Sequence, residues 1–396
     1  MTAANPQAHN TSFAILFAIS FSHLINDMIQ AVLPAIYPTI KGDFSLSFAQ
    51  VGFITLAFQC TASLLQPAVG WLADRRPAPF SLAAGMVSTL LGMAVLGFAH
   101  SYAMVLVAAM LIGIGSSVFH PESARVARMA SGGRHGLAQS VFQVGGNTGT
   151  ALGPLTAALV VAWWGQSGVA VYVIAAAIGI IVLYKVGRWY KDHGLARIRH
   201  ARAHAPLPYS RARIMAGLTI LALLIFTKYI YLVSITSYLT FYLIETFNTS
   251  VQTAQMYLFL FLGAVALGTL AGGPLGDRFG RKYVIWLSIL GILPFTLLLP
   301  HANLFWTGVL LVIVGAVMAS AFPAIVVFAQ ELSPGRLGAI SGLFYGFAFG
   351  VAGLGAALLG IVADATSITF VYKVCAFLPL LGLVTMFLPN LKLTHK

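Results

Sequence analysis

The sequence predicts an all-α polytopic membrane protein, with twelve transmembrane helices in two pseudo-symmetric six-helix halves. Three observations carry that prediction. Apolar residues make up 59% of the chain and charged residues only 8%, about a third of the charged share of a soluble domain. Windows of ~20 residues, enough for a helix to cross the bilayer core, divide the chain into twelve apolar spans, and a mean hydropathy of +0.91 leaves no room for a sizeable soluble domain. Hydrocarbon offers no partner to backbone amides, so spans of this length must satisfy them internally as helices. The third observation is a repeat. Gly70-Trp71-Leu72-Ala73-Asp74-Arg75-Arg76 and Gly273-Pro274-Leu275-Gly276-Asp277-Arg278-Phe279-Gly280-Arg281-Lys282 stand 203 residues apart in a chain of 396. A period of half the chain signals a duplicated bundle, not a solenoid.

In order, the spans cover 13–37, 48–73, 80–99, 102–123, 138–163, 168–189, 214–244, 251–275, 283–299, 304–329, 338–361 and 370–388. Span 1 holds His23, Asn26, Asp27 and Gln30 at i, i+3, i+4 and i+7, a single helical face. Lipid cannot satisfy these groups, so the face meets other helices or a watery cavity. Span 2 has a weaker stripe of Thr55, Gln59, Ser63 and Gln66. In span 4, Pro121 removes a backbone donor and predicts a kink that sets His120, Glu122 and Arg125 beside irregular backbone. Span 5 carries Gln139, Gln143, Asn147 and Thr150, together with Gly145, Gly149 and Gly153 ahead of Pro154. Span 7 gathers Lys228, Tyr231, Ser234, Tyr238 and Tyr242 within one arc. Span 11 repeats Gly338, Gly342, Gly346 and Gly350, and span 12 contains Lys373. Small residues at every fourth position allow close helix approach. Spans 5 and 11 correspond across the repeat, so their glycine faces are expected where the halves slide. Phe344, Tyr345, Phe347 and Phe349 read as packing, and the tryptophans near span ends as interfacial anchors.

The domain division follows: residues 1–189 form one half, 214–396 the other, and 190–213 is a basic linker with Lys191, Arg197, Arg199, Arg202, Arg211 and Arg213. With both termini cytoplasmic, nineteen of the twenty-two Lys and Arg fall at cytoplasmic loops or span ends; Lys41, Lys228 and Lys373 are the exceptions. That asymmetry predicts N-in, C-in topology. It also accounts for the net charge of +13 without a nucleic-acid partner. Cys60 and Cys375 lie in separate spans, so neither a disulfide nor a metal site is indicated, and no metal-ligand spacing such as His-Glu-x-x-His occurs. An intramembrane enzyme using His120 and Glu122 is therefore disfavoured, and no cofactor is expected.

Depth sharpens one pair. At 1.5 Å per residue, Asp27 and Lys228 each lie roughly 21 Å along their spans. They stand 201 residues apart, nearly one repeat period. An acid and a base at equivalent positions predict pairing across the pseudo-twofold when the outer side is closed.

Gly-x-x-x-Asp-Arg-x-Gly-Arg-Lys after span 8, with its shortened copy after span 2, resembles the signature of the major facilitator superfamily. The glycine face ending in Gly153-Pro154 resembles a span-5 motif of its drug–proton antiporters. A closer resemblance covers nearly the whole chain. Ser22-His23-Leu24-Ile25-Asn26-Asp27-Met28-Ile29-Gln30, Phe119-His120-Pro121-Glu122-Ser123-Ala124-Arg125-Val126-Ala127-Arg128, Ala130-Ser131-Gly132-Gly133-Arg134-His135-Gly136-Leu137 and Ala329-Gln330-Glu331-Leu332-Ser333-Pro334-Gly335-Arg336 are similar to segments of the bacterial fosmidomycin resistance proteins. That resemblance implies a proton-driven exporter of a phosphonate antibiotic in the bacterial inner membrane, operating as a monomer, with a cavity lined by spans 1, 4, 7 and 10. It also implies gates at Asp74, Arg75, Asp277, Arg278 and Arg281, with Asp74 near the start of span 11 and Asp277 near the start of span 5.

An anionic phosphonate needs cations and neutral donors instead of an apolar drug pocket. Arg125, Lys228 and Lys373, with His23 and His120, are the candidate cations. Asn26, Gln30, Gln59, Gln143, Asn147, Tyr231 and Tyr238 are the candidate neutral partners. Asp27 and Glu122, with His23 and His120, are the expected proton carriers. A transporter of a natural phosphorylated or carboxylated metabolite, or a broader multidrug exporter, would draw on the same residues.

Overall fold

The computed structural model describes residues 11–46, 48–194, 209–249 and 251–390. The centre of the basic linker lies outside these residues. Each of the twelve expected spans is helical, and there is no β-strand among the described residues. Span 1 is Phe13–Ala35, span 3 Ser81–Gly97, span 4 Tyr102–Ala130, span 5 His135–Trp164, span 7 Arg211–Phe247, span 8 Val251–Phe279 and span 11 Leu337–Ala365. The others are composite. Span 2 joins Phe48–Gln59 to Gln66–Arg75 through a π-helical turn at Cys60–Leu64. Span 6 opens with a 3₁₀ segment before Tyr172–Trp189, and span 9 runs from Arg281 to His301 with 3₁₀ turns. Span 10 breaks at Ser320 between Leu304–Ala319 and Ala321–Leu332, and span 12 passes from Ile368–Cys375 into the 3₁₀ stretch Leu378–Phe387. Among the described residues, ten of these are by themselves long and apolar enough to cross a membrane.

Local chemistry explains several boundaries. Ser101, Ser210, Asn303 and Ser367 cap spans 4, 7, 10 and 12, each side chain accepting from the amide three residues on, which satisfies a donor the helix leaves orphaned. Gly133 (φ 92°) and Gly335 (φ 84°) turn the chain between spans 4 and 5 and between spans 10 and 11, a conformation open to glycine and costly for other residues. They are 202 residues apart, so the turn chemistry repeats with the fold. Pro121 does not interrupt its helix. Span 4 continues unbroken to Ala130, so the expected break near His120 is absent, and π and 3₁₀ irregularities fall in spans 2, 6, 9 and 12 instead.

The two glycine faces part company. Those of span 5 pack within their own half, against span 1: a side chain at Gly145 would strike the Ser20 carbonyl, and one at Gly149 the Leu24 carbonyl. The expectation that both faces lie between the halves is corrected there. Span 11 does meet the other half. Gly338 abuts Gly70, Gly342 abuts the Gln66 carbonyl, and Gly346 abuts the Ser63 carbonyl of the π-turn. Span 8 mirrors this contact, with Gly273 against the Gly136 carbonyl of span 5. All these approaches lie at the end of the bundle that carries the Lys- and Arg-rich loops, hereafter the basic end. One and two turns further along span 11, Gly350 and Gly353 have nothing within 4 Å of a would-be side chain. The halves are therefore closed at the basic end and separate toward the other.

Candidate functional site

Asp27 lies at the centre of a cluster built from spans 1 and 4. His23 Nε2 stands 3.1 Å from one carboxylate oxygen and His120 Nε2 3.4 Å from the other. Asn26 and Gln30 donate to Asp27 Oδ1 at 3.0 and 3.3 Å, and Ser116 donates to Gln30 Oε1 at 3.0 Å. The polar face read from span 1 is thus one network. Both histidines are fully buried, and their tautomers follow from the other ring nitrogen. His23 Nδ1 is 2.7 Å from the Phe142 carbonyl, and His120 Nδ1 is 3.1 Å from the Ser116 carbonyl. A carbonyl only accepts, so both Nδ1 atoms carry hydrogen and both Nε2 atoms face Asp27. Each Nε2···O gap is attractive only with a proton in it, so the cluster holds up to two exchangeable protons. The three facing atoms lie within 4.8 Å of one another, close enough to share protons. Of the expected proton carriers, His23, Asp27 and His120 thus stand together, while Glu122 pairs elsewhere.

A second site lies where spans 5, 7, 8 and 10 meet. A small pocket is lined by Lys228, Tyr229 and Leu232 of span 7, Gln143 and Asn147 of span 5, Val265 and Thr269 of span 8, and Phe322 of span 10. Lys228 Nζ sits 5.4 Å from the Tyr229 ring centre and 5.3 Å from that of Phe322. Among the described residues no carboxylate comes within ion-pair distance of it. Its polar neighbours form a directed chain across the halves. Gln139 donates to the Tyr345 hydroxyl at 2.7 Å, which donates to Gln143 at 3.2 Å. Gln143 donates to Asn147 at 3.4 Å, Asn147 to Thr269 at 3.0 Å, and Thr269 to the Val265 carbonyl. Each amide keeps a second N–H beyond this chain, so the pocket offers one ammonium and neutral donors. Asp27 and Lys228 are not paired here. The acid is satisfied within its own half, in a state closed at the basic end.

The basic end carries two matching latches. Asp74 accepts from the Gly338 and Ala339 amides at 2.9 and 2.8 Å, at the start of span 11. Asp277 accepts from Gly136 and Leu137 at 2.9 and 3.0 Å, at the start of span 5. A carboxylate is favoured at such helix N-termini. Arg281 bridges Asp277 and Glu331 at 3.0 and 3.1 Å, and Arg128 reaches across the halves to Gln330 at 3.2 Å. Arg75 and Arg278 do not join these latches; they lie over the rings of Trp71 and Phe279 beside them.

Arg125 and Glu122 belong to this end, not to the cavity. Arg125 pairs with Glu122 at 2.7 Å, donates to the Ala73 carbonyl at 2.7 Å and to the Tyr190 hydroxyl, and lies 3.8 Å from Asp74. Ser81 donates to the same Glu122 oxygen at 3.3 Å. Both charges are buried between spans 2, 3, 4 and 6 and engaged with one another, so in this state neither lines the pocket. Lys373 is exposed, in line with the exposed Phe370, Val374 and Phe377, and is not among the residues lining the pocket. Tyr231 is buried in the C-terminal half, its carbonyl accepting from Ser234, while Tyr372 donates to the Ser234 carbonyl and stacks on Tyr242. Tyr242 therefore faces span 12, and Lys228 lies at the margin of this arc. Tyr238 abuts Gly360 and Gln59 is half-buried at the π-turn, neither of them lining the pocket. Tyr229, Thr269, Phe322, Tyr190, Arg128 and Gln330 carried no sequence signal of their own, although the 203-residue period maps Arg128 onto Glu331.

Two bundles closed at one end around a polar centre define a secondary-transporter architecture, and the family match agrees. Residues 19–257 and 218–396 match the Major Facilitator Superfamily, and the chain belongs to that superfamily. Within it the chain belongs with the fosmidomycin resistance proteins. It is 58% identical over 388 residues to the fosmidomycin resistance protein of Escherichia coli (strain K12), covering 98% of this chain and 96% of that one. It is 39% identical over 383 residues to the uncharacterized MFS-type transporter YfnC of Bacillus subtilis (strain 168), covering 96% and 94%. Among solved structures, the transporter FucP in its outward conformation aligns with a TM-score of 0.76 at 16% identity, over 97% of this chain and all of that one. The human organic anion transporter MFSD10 aligns at 0.74 and 17%, over 97% and 100%. At these identities the two structures speak to the fold alone.

Proposed function

We propose that this protein exports a compact anionic phosphonate of the fosmidomycin type from the bacterial cytoplasm by proton-driven antiport, as a monomer in the inner membrane with both termini inside. The observation that carries this reading is the separation of charges: Lys228 faces a cavity without an acid partner, while Asp27 is enclosed by two histidines a helix away. The cargo supplies the counter-charge that Lys228 lacks, and Gln143 and Asn147 add neutral donors. Protons bind in the His23–Asp27–His120 cluster. With the basic end cytoplasmic, the closed latches describe an outward-facing state. Cargo release and proton entry then precede opening of the latches. The name of the relative at 58% identity supports the choice of cargo.

The test uses purified full-length protein in proteoliposomes. Fosmidomycin should move against its gradient only when a pH gradient is imposed. Lys228→Gln should lose roughly 1.5–3 kcal/mol of cargo affinity, about ten- to a hundredfold, the range of a charge-assisted hydrogen bond. Asp27→Asn should still bind cargo while losing gradient-driven transport. Wild-type transport by Asp27→Asn, or unchanged affinity in Lys228→Gln, would refute the respective assignment.

A further inference from the structure

We infer that Tyr345 of span 11 is the positioning residue through which the proton cluster and the cargo pocket sense one another; this rests on the antiport reading above. Tyr345 touches both. Its ring centre lies 5.3 Å from that of His120 and 4.9 Å from that of Phe322, which lines the pocket beneath Lys228. Its hydroxyl donates to Gln143, also in the pocket wall, and accepts from Gln139. The side chain is 1% exposed, so it cannot move without moving these partners. Packing alone does not require a hydroxyl there, and a buried hydroxyl without partners would be costly.

The geometry supplies the mechanism. His120 belongs to the first half and Tyr345 to the second, so their contact crosses the plane on which the halves rock. When His120 Nε2 gains its proton, the imidazolium is attracted to the faces of Tyr345 and Phe349, whose ring lies 5.1 Å away. When the proton leaves, that attraction weakens. Tyr345 then turns or shifts with span 11, and its hydroxyl changes how it holds Gln143. The directed chain from Gln139 to Thr269 transmits the change, because a reversal at Gln143 exchanges an acceptor for a donor at the pocket wall. The titratable groups near this contact are Asp27 and His23 of span 1 and the phenols of Tyr229 on span 7 and Tyr345 itself. None lies on span 5, whose contribution is Phe142, Gln139 and Gln143.

Tyr345→Phe keeps the ring and removes the hydroxyl. Fosmidomycin affinity would be measured on the full chain in lipid nanodiscs from about pH 5.5 to about pH 8.5, the range in which histidine titrates. If one proton is displaced per cargo, wild-type affinity falls about tenfold per pH unit on the acid side. In Tyr345→Phe the alkaline affinity should stay within about threefold of wild type, since Lys228 is untouched, while the pH slope falls to less than about half. Gln139→Leu touches neither the cluster nor the pocket lining, and should flatten the slope in the same way; it decides the matter if Tyr345→Phe does not fold. A wild-type slope retained in these variants overturns the role of Tyr345 and leaves the antiport reading standing. A wild type without any slope overturns the antiport reading itself.

Discussion

Replacing Asp74 with Asn should open the basic end, and the size of the effect can be worked from its contacts. The carboxylate holds two amides, of Gly338 and Ala339, at 2.9 and 2.8 Å. The Asn amide keeps one acceptor oxygen and turns a donor toward the second N–H, so one charge-assisted hydrogen bond is lost, about 1.5–3 kcal/mol. Loss of the charge at the helix N-terminus adds about 0.3–1 kcal/mol. The sum, roughly 2–4 kcal/mol, shifts the closed-to-open equilibrium by about thirtyfold to several hundredfold. Spin labels at Arg76 and Arg336, both exposed, at the end of span 2 and the start of span 11, would report the change as a longer distance in pulsed EPR. Asp277→Asn should act in the same direction, measured between spans 5 and 8. Its effect should be smaller, because the Asp277 side chain is 22% exposed against 10% for Asp74 and solvent screens it more. An unchanged distribution in the double variant would refute the latch reasoning.

Arg125→Gln should cost about 3–5 kcal/mol of stability by stranding the Glu122 charge, and adding Glu122→Gln should restore thermal stability in part; loss of cargo affinity without loss of stability would return Arg125 to the binding site. Gly145→Ala and Gly342→Ala make the same chemical change with different outcomes. The first intrudes on span 1 within one half and should lower the melting temperature, whereas the second intrudes on span 2 across the halves and should favour the state open at the basic end, visible with the same spin labels. Lys373→Gln should leave fosmidomycin resistance of expressing cells unchanged, and a clear loss would place the lysine on the transport path.

Spans and the repeat were legible because they rest on one-dimensional quantities: apolar length, charge asymmetry and period. The polar face of span 1 was legible for the same reason, since four residues on one helix reveal their common side by spacing alone. What spacing cannot give is rotation between helices. Arg125 and Lys228 looked alike in sequence, each a cation in an apolar span, yet one turns into a helix junction and the other into the cavity. Lys373 lies exposed among apolar side chains, and Tyr242 meets span 12 while Tyr238 meets span 11, because an arc on a helix does not say which neighbour it meets. Tyr345 was obscured by its company: among four aromatics in six residues, only the hydroxyl's partners distinguish it from packing.

The distribution of buried charge follows from what each side chain can satisfy. Arg125 presents a planar fork, and the fold uses it on a carboxylate, a carbonyl and a phenol, which fixes the guanidinium beside the latch acid Asp74. A group so fully engaged would have to break several hydrogen bonds to meet a cargo. Lys228 is a point charge on a flexible stem, set between two aromatic faces that hold it without neutralising it. Burying such an ammonium unpaired is unfavourable, and an anion entering the pocket removes the penalty at the moment of binding. The same anion would gain little from Arg125. A transporter that must release its cargo therefore does better with the lysine in the cavity and the arginine in the latch, and on the proposed reading the exchange Lys228→Arg should hold an anionic cargo more tightly while slowing its turnover.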